Sequence, residues 1–200
     1  MLKVAVTGGA GAGKTVVCDC FRRLGAHVIN LDELAREVVH PHSPVLRAIV
    51  EHFGNGILKA DGSLNRSKLR GIITRDAQGR KVVERLTHPE ILSLFQEKVA
   101  AIKYRDEDAI VVVEVPLLVE LGIQDQFDVV ILVEAGSDQQ KNRLMARDRS
   151  SAAEAQALMG IQLAAEQKRA HADYIVENRG PLEELGVAVK EIYTKMAKGP

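Results

Sequence analysis

The feature that most limits the fold of this chain is a glycine-rich loop close to its amino terminus. Residues 8–15 read Gly-Gly-Ala-Gly-Ala-Gly-Lys-Thr, which matches G-x-x-x-x-G-K-[ST] at every fixed position. The apolar run Leu2–Thr7 before the loop predicts a buried strand, and Lys14–Leu24 after it predicts a helix ended by Gly25. A strand, a glycine loop and a helix in this order form a cradle for phosphate groups, because backbone N–H groups and the positive helix end converge there.

The residue types of the loop predict that it binds ATP with Mg²⁺. Lys14 would place its ammonium group on the β- and γ-phosphates, and the Thr15 hydroxyl would coordinate the metal. The alternative, a glycine-rich turn that binds nothing, is disfavoured by the strand and helix on either side. The predicted cofactor-binding residues of the loop are Gly9, Gly11, Ala12, Gly13, Lys14 and Thr15.

Other motifs narrow the class of nucleotide-binding protein. The guanine-reading motif N-K-x-D of GTPases is absent from the sequence. The D-x-x-G motif at residues 76–79 does not follow a predicted strand, so we interpret it as a turn. A small kinase is therefore the leading hypothesis, with a nucleotide-dependent regulatory module as the alternative from another class.

Short apolar runs alternate with helical patterns along most of the chain, which is typical of an α/β protein with a parallel sheet. The further predicted strands are Val28–Asn30, Ile110–Val115, Val129–Val133 and Tyr174–Val176. The further predicted helices are Asp32–His40, Ser137–Arg149, Ala152–His171 and Pro181–Lys198.

Residues 44–104 lack a strong strand pattern and are predicted to be mostly helical. A segment of this length between two strands is too long for a plain loop. We therefore predict one kinase domain, with a core of residues 1–43 and 105–200 and an inserted helical lobe at 44–104 for the second substrate.

The composition argues against highly charged macromolecular partners. Lys plus Arg and Asp plus Glu both number 27, so the formal net charge is zero, which argues against nucleic acid or an anionic membrane as a partner. No apolar stretch reaches the length of a membrane span, and we identify no signal peptide. Cys18 and Cys20 point to different helix faces and are expected to be reduced thiols. We expect a cytoplasmic protein.

Several polar residues outside the loop are candidates for catalysis. Asp32 follows the second strand and could be a general base, or it could cap the next helix. Arg143 and Arg147 are four positions apart on one predicted helix, where they could clamp phosphates or lie in solvent. Glu114 ends the third strand and could hold a Mg²⁺-bound water or have no role. His88 precedes Pro89, a pair more often found at a turn with a helix-start proline than at a binding site.

The motifs together resemble the dephospho-coenzyme A kinase family over nearly the whole chain. The matching segments are Val6–Thr15, Val28–Arg36, Phe53–Gly54, Asp61–Arg66, Thr87–Ile91, Val115–Glu120, Gln140–Arg147, Gln162 and Ala172–Asn178. The resemblance implies a three-layer P-loop kinase fold with a five-stranded parallel sheet, a helical substrate lobe and a lid helix pair at about residues 143–171. It also implies transfer of the ATP γ-phosphoryl group, with Mg²⁺, to the ribose 3′-hydroxyl of dephospho-coenzyme A, the last step of coenzyme A synthesis. Another small-molecule or nucleotide kinase on the same core is the alternative enzyme.

The resemblance also implies roles for individual residues. The implied catalytic residues are Asp32 as general base, Lys14 and the lid residue Arg143. Arg147 and Asn178 would bind ATP, the latter near its adenine. Arg66, His88 and Asp32 would bind the acceptor. We expect a monomer, with an oligomer left open.

The chain departs from the family pattern at two places. Asn30 stands where the first Asp of a D-x-D motif is usual, which removes a negative charge near the metal. Residues 72–74, Ile-Ile-Thr, replace a usual phenylalanine in the lobe, and we expect this departure to affect the shape of the substrate pocket.

Overall fold

The structure, a computed structural model that describes residues 1–198, contains a five-stranded parallel sheet. The strand order is β2-β3-β1-β4-β5. The strands are β1 (Leu2–Gly8), β2 (His27–Asn30), β3 (Ile110–Glu114), β4 (Val129–Glu134) and β5 (Tyr174–Glu177). The predicted α/β class with a five-stranded parallel sheet is confirmed.

The register of the sheet brings the site residues to one edge. β1 lies at the centre, with Val6 opposite Glu114 on β3 and Gly8 opposite Val133 on β4. On the outer side of β3, Asn30 is the register partner of Glu114. The glycine loop therefore starts at the carboxyl edge of the central strand, where parallel α/β sheets bind their ligands.

The helices are α1 (Lys14–Arg23), α2 (Leu31–Glu37), α3 (Pro44–Phe53), α4 (Arg66–Ile73), α5 (Ala77–Arg105), α6 (Ser137–Asp148), α7 (Ala152–Gly160), α8 (Ala165–Arg169) and α9 (Leu182–Ala197). The core that fixes α1 and α9 against the strands includes the fully buried Val17, Phe21 and Val189. β3 is buried along its whole length, which explains its β-branched composition.

The chain divides into two compact units. Residues 1–30 and the chain from 102 onward form the first unit, which contains the sheet, and residues 31–101 form the second. The second unit is helical and has its own core around Leu46, Ile49, Ile57 and Leu69. The assignment of residues 44–104 as a substrate lobe stays a prediction.

Two sequence-based expectations about helices were wrong. Residues 152–171 do not form one helix, because α7 ends at Gly160 and α8 begins at Ala165. Glycine is a poor helix former, and the backbone N–H of Leu163 donates to the Glu120 carboxylate instead of continuing a helix. Residues 77–79 are the first turn of α5 rather than an isolated turn, because Asp76 accepts hydrogen bonds from the N–H groups of Gln78 and Gly79.

His88 and Pro89 also differ from the turn that is usual for such a pair. Both lie inside α5, a helix of 29 residues. Pro89 cannot donate a backbone hydrogen bond there, so the helix tolerates one missing bond in its interior.

Two further observations concern the cysteines and the membrane. Cys18 and Cys20 are both free thiols, and burial raises the pKa of Cys18 well above its usual range, with the Glu114 charge adding to the rise. Among the residues that the structure describes, no helix combines the length and apolar character that crossing a bilayer requires.

Candidate active site

The backbone of the glycine loop leaves no room for side chains at several points, among them Gly13 and Gly8. Gly13, the residue before α1, has φ of 97°, and a Cβ there would collide with the Asn178 amide. Gly8 has φ of 149°, and a Cβ there would collide with the carbonyl oxygen of Val133. Both glycines are therefore required by the tight path of the loop as well as by its positive φ angles.

Lys14 is buried and lies across the loop that precedes it. Its Nζ is 3.1 Å from the carbonyl oxygens of both Gly8 and Gly9. The loop is closed further by the hydrogen bond from the Ala12 N–H to the Gly9 carbonyl. An ammonium group held at the start of the loop is placed to meet phosphates that occupy its curve.

Arg143 on α6 and Asn178 after β5 hold the other half of the loop. The amide Nδ2 of Asn178 donates to the Ala12 carbonyl at 2.8 Å, and Arg143 Nη1 donates to the same oxygen at 3.3 Å. Arg143 Nη2 also donates to the carbonyl of Asn178 at 3.1 Å. The structure thus brings together Arg143, predicted to be catalytic, Asn178, predicted to bind ATP, and the loop itself.

Arg147 lies one turn further along α6 and makes a different contact. Its Nε and Nη2 each donate to a carboxylate oxygen of Asp148 at 2.8 Å. The side chain is 64% exposed. That Arg147 binds ATP stays a prediction.

Three polar side chains form a cluster beside the start of α1. The Thr15 hydroxyl donates to Glu114 Oε1 at 3.0 Å, and Asn30 Nδ2 donates to Glu114 Oε2 at 2.8 Å. Glu114 is buried, with 6% of its surface exposed. Its carboxylate is therefore oriented by both neighbours toward the hydroxyl predicted to bind the metal.

The candidate acceptor-binding residues Asp32, Arg66 and His88 all belong to the second unit. Asp32 is the second residue of α2, so it lies in the first helical turn, where a carboxylate is favoured by the helix dipole. His88 is exposed on α5. Burial and the charge of Arg36 lower the pKa of Arg66, whose Nη2 lies 3.4 Å from the Arg36 carbonyl.

A cavity of about 240 Å³ in the second unit has Arg66 and Arg70 in its lining. Most of its wall is apolar, formed by residues such as Val39, Leu64 and Leu69. Two guanidinium groups beside an apolar wall suit a ligand with an anionic part and an uncharged part.

Comparisons with known proteins agree on the family. The family model described as dephospho-CoA kinase matches residues 2–184. A dephospho-CoA kinase from Syntrophotalea carbinolica is 38% identical over 199 residues, which is 100% of this chain and 94% of that protein. The chain belongs to the dephospho-CoA kinase family.

Solved structures support the same assignment. The dephospho-CoA kinase from Campylobacter jejuni superposes with a TM-score of 0.73 at 25% identity, covering 98% of both chains. The protein TT1252 from Thermus thermophilus superposes with a TM-score of 0.82 at 30% identity, covering 98% of this chain and 97% of that one. The P-loop kinase fold implied by the sequence motifs is thereby confirmed.

The structure of this dephospho-CoA kinase family member also shows contacts to which sequence analysis gave no role. Gln162, between α7 and α8, accepts a hydrogen bond from the Ala10 N–H through Oε1 at 2.7 Å. Glu120 accepts from the Leu163 N–H at 3.0 Å and lies 2.8 Å from Lys168 Nζ. Gln162 and Glu120 were part of the motifs that carried the resemblance, which was the only signal for them.

These residues surround a cavity of about 380 Å³ next to the first half of the loop. Its lining includes Gly9, Gln140, Gln162 and Lys168. Arg169 also lines the cavity, and its guanidinium group forms a bidentate ion pair with the buried Glu134 at the end of β4. The cavity thus lies among α6, the α7–α8 connection and the carboxyl edge of the sheet.

Proposed function

We propose that this chain transfers the γ-phosphoryl group of ATP to the ribose 3′-hydroxyl of dephospho-coenzyme A, giving coenzyme A and ADP. The observation that carries the proposal is a complete phosphate loop, fixed by Arg143 and Asn178, in a chain of this family. We propose that the reaction is the last step of coenzyme A synthesis and takes place in the cytoplasm, with the protein acting as a monomer. A net charge of zero is consistent with a small-molecule acceptor rather than nucleic acid or a membrane.

On the ATP side, the loop would bind the phosphates through Gly9, Gly11, Ala12 and Gly13 and through the Lys14 ammonium group. Arg143 is already bound to the loop carbonyls, so its positive charge would offset negative charge that develops during transfer. Asn178 would lie near the adenine, and Arg147 would add a second guanidinium group.

Mg²⁺ would be held by the Thr15 hydroxyl, with Glu114 beside it. Both supply oxygen atoms, the ligands that Mg²⁺ prefers, and they are within 3.0 Å of each other. Within residues 1–198 no group of three or more His, Cys, Asp or Glu side chains is arranged to bind a metal. Such a sparse set fits an ion that arrives with ATP and keeps most of its ligands as phosphate oxygens and water. The ion would neutralise charge on the phosphates.

On the acceptor side, we propose that Asp32, Arg66 and His88 bind dephospho-coenzyme A and that residues 44–104 form the substrate lobe. Arg66 lies beside Arg36, and the Arg36 charge acts on it, so two positive charges close together suit the diphosphate of the acceptor. The apolar cavity beside Arg66 would take part of the uncharged arm.

In the proposed reaction the 3′-hydroxyl oxygen attacks the γ-phosphorus as the bond from the γ-phosphorus to the β–γ bridging oxygen breaks. Asp32 accepts the hydroxyl proton, and the bridging electron pair leaves with ADP. Positioning and charge neutralisation supply most of the rate in phosphoryl transfer, and the base supplies a smaller part.

The test is a coupled assay of ADP release by the purified protein with MgATP. Dephospho-coenzyme A should support turnover, and mass spectrometry with ³¹P NMR should locate the new phosphate on the 3′-oxygen. Turnover with a nucleoside monophosphate but none with dephospho-coenzyme A would reject the proposed acceptor.

We predict that Asp32→Asn lowers kcat by about 10²-fold or more, because the amide cannot accept the hydroxyl proton. The KM for ATP should change little, since the proposed role concerns the acceptor. Glu51→Gln, a change at an exposed carboxylate in the same unit, is the matched control and should retain wild-type kcat. Steady-state kinetics with near-wild-type kcat for Asp32→Asn would assign this residue to helix capping.

A further inference from the structure

The α7–α8 connection, residues 161–164, is bonded to the phosphate loop by a side chain. Gln162 Oε1 accepts from the backbone N–H of Ala10 at 2.7 Å. Ala10 lies within the loop, between two of the glycines that give it its curve. A backbone N–H that donates to Gln162 is held in one orientation, so the contact restrains the loop as well as the connection.

The same connection is also attached to Glu120, in the turn region after β3. Glu120 Oε1 accepts from the Leu163 N–H at 3.0 Å and is 2.8 Å from Nζ of Lys168, whose side chain is 1% exposed. Glu120 itself is 17% exposed. Burying these charged groups costs desolvation free energy. The attraction between them offsets that cost only when their geometry is well defined. The connection is therefore held at two adjacent residues, through the Leu163 backbone to Glu120 and through the Gln162 side chain to Ala10.

A second glutamine, Gln140, lines the same cavity as Gln162 and is anchored beside the loop. Gln140 Nε2 on α6 donates to the Ala135 carbonyl at 3.0 Å, and its Oε1 lies where a Cβ on Gly9 would be in close contact. Two glutamines from α6 and the connection thus enclose Gly9 and Ala10. Neutral amides restrain the loop there without adding negative charge close to the phosphates.

We propose that Gln162 is a positioning residue that couples ATP binding in the phosphate loop to the order of residues 161–169. Phosphates that bind the loop would restrain the orientation of the Ala10 N–H. Because this N–H donates to Gln162, the side chain of Gln162 would be restrained as well. By linkage, an ordered connection strengthens ATP binding by the same factor. This inference rests on the proposed function only in taking ATP as the ligand of the loop.

The test measures backbone hydrogen exchange of residues 161–169 with and without a non-hydrolysable ATP analogue and Mg²⁺, beside KM and kcat for ATP. In the wild-type protein the analogue should slow exchange in this segment. Gln162→Met keeps the length of the side chain but cannot accept as strongly from Ala10. It should speed exchange without nucleotide and raise the KM for ATP, each by about fivefold or more, the size of one ordinary hydrogen bond.

Gln162→Glu keeps an acceptor oxygen and adds a negative charge. Exchange of residues 161–169 without nucleotide should therefore stay near the wild-type rate, whereas the KM for ATP should rise through repulsion of the phosphates. Gln156→Met, on the exposed face of α7, is the matched control and should match the wild-type protein in every measurement.

Two results would overturn the coupling. One is that Gln162→Met has the wild-type exchange rate of residues 161–169 and the wild-type KM for ATP. The other is that the Met and Glu variants lose protection equally, which would indicate a general packing defect. Absence of any protection of residues 8–15 by the analogue in wild-type protein would instead count against ATP as the ligand, and thus against the proposed function itself.

Discussion

Glu114 sets the charge beside the predicted metal-binding hydroxyl of Thr15. It is buried, and its two oxygens accept from Thr15 and from Asn30. An amide at position 30 can donate to the carboxylate, whereas the aspartate usual in the family could not. The departure at Asn30 is therefore accommodated by a hydrogen bond that orients Glu114.

We predict that Asn30→Asp makes the protein more dependent on Mg²⁺ for stability. Two carboxylates would then lie about as close as the present 2.8 Å contact, and without a cation they repel each other. In EDTA the free energy of unfolding should fall by about 1–3 kcal/mol, the cost of an unpaired buried polar group. Mg²⁺ should restore much of this loss, because a second carboxylate strengthens attraction for the ion.

Thermal denaturation with EDTA and with Mg²⁺ measures this effect. Asn142→Asp, an exposed position on α6, is the control for adding one negative charge. Equal melting temperatures of Asn30→Asp and the wild type in EDTA would show that the Asn30–Glu114 contact is of no consequence.

The short helix α8 depends on contacts outside itself. It has five residues, too few to be stable alone in water. Lys168 and Arg169 attach it to Glu120 and Glu134 respectively. Its order therefore comes from ion pairs with the end of β4 and with the turn region after β3 rather than from helix propensity.

We predict that Lys168→Met lowers the free energy of unfolding at pH 7 by about 3 kcal/mol, because removing one partner of a buried ion pair leaves the other charge uncompensated. Chemical denaturation measures the change. Lys190→Met, an exposed change on α9, should have little effect. A loss no larger than that of the control would mean that the ion pair contributes little to the free energy of unfolding.

The ion pair also predicts a dependence on pH. Burial alone would raise the pKa of Glu120, but the hydrogen bonds from Lys168 and from the Leu163 N–H outweigh it and lower the pKa. A carboxyl whose pKa is lower in the folded state stabilises the fold above its unfolded pKa. This contribution is lost as the pH falls through the lowered folded value. The loss of stability on acidification should therefore be smaller in Lys168→Met than in the wild type.

At the scale of the whole molecule, ligand binding and stability are linked. The loop binds only when the sheet unit is folded, so ATP should raise the melting temperature. At about 100 times the dissociation constant the gain is about 2.7 kcal/mol. For a chain of this size that corresponds to roughly 5–10 °C.

We predict that Lys14→Ala removes most of this shift, because Lys14 supplies the positive charge for the β- and γ-phosphates. Differential scanning fluorimetry with and without MgATP measures it. Lys190→Ala, a change at an exposed position on α9, is the control and should keep the full shift. An undiminished rise in melting temperature in Lys14→Ala would contradict the proposal that the loop binds the phosphates of ATP.

The loop and the sheet could be predicted from the sequence because their requirements are local. Gly13 must be glycine wherever this backbone occurs, and the buried β3 needs a run of β-branched residues. The break between α7 and α8 could not be predicted, because it depends on Glu120 accepting from the Leu163 N–H across 43 positions. The same holds for Gln162, whose partner Ala10 is 152 positions away.

The central position of β1 has a consequence for how the chain folds during synthesis. β1 is made first, yet both of its partners, β3 and β4, lie more than a hundred residues later, and Asn178 reaches Ala12 across 166 positions. Contacts of such long range are slow to form. The phosphate loop therefore leaves the ribosome early without the contacts that hold it. We expect nascent chains that end before β5 to be poor ligands for ATP and dependent on chaperones while β1 lacks its neighbours.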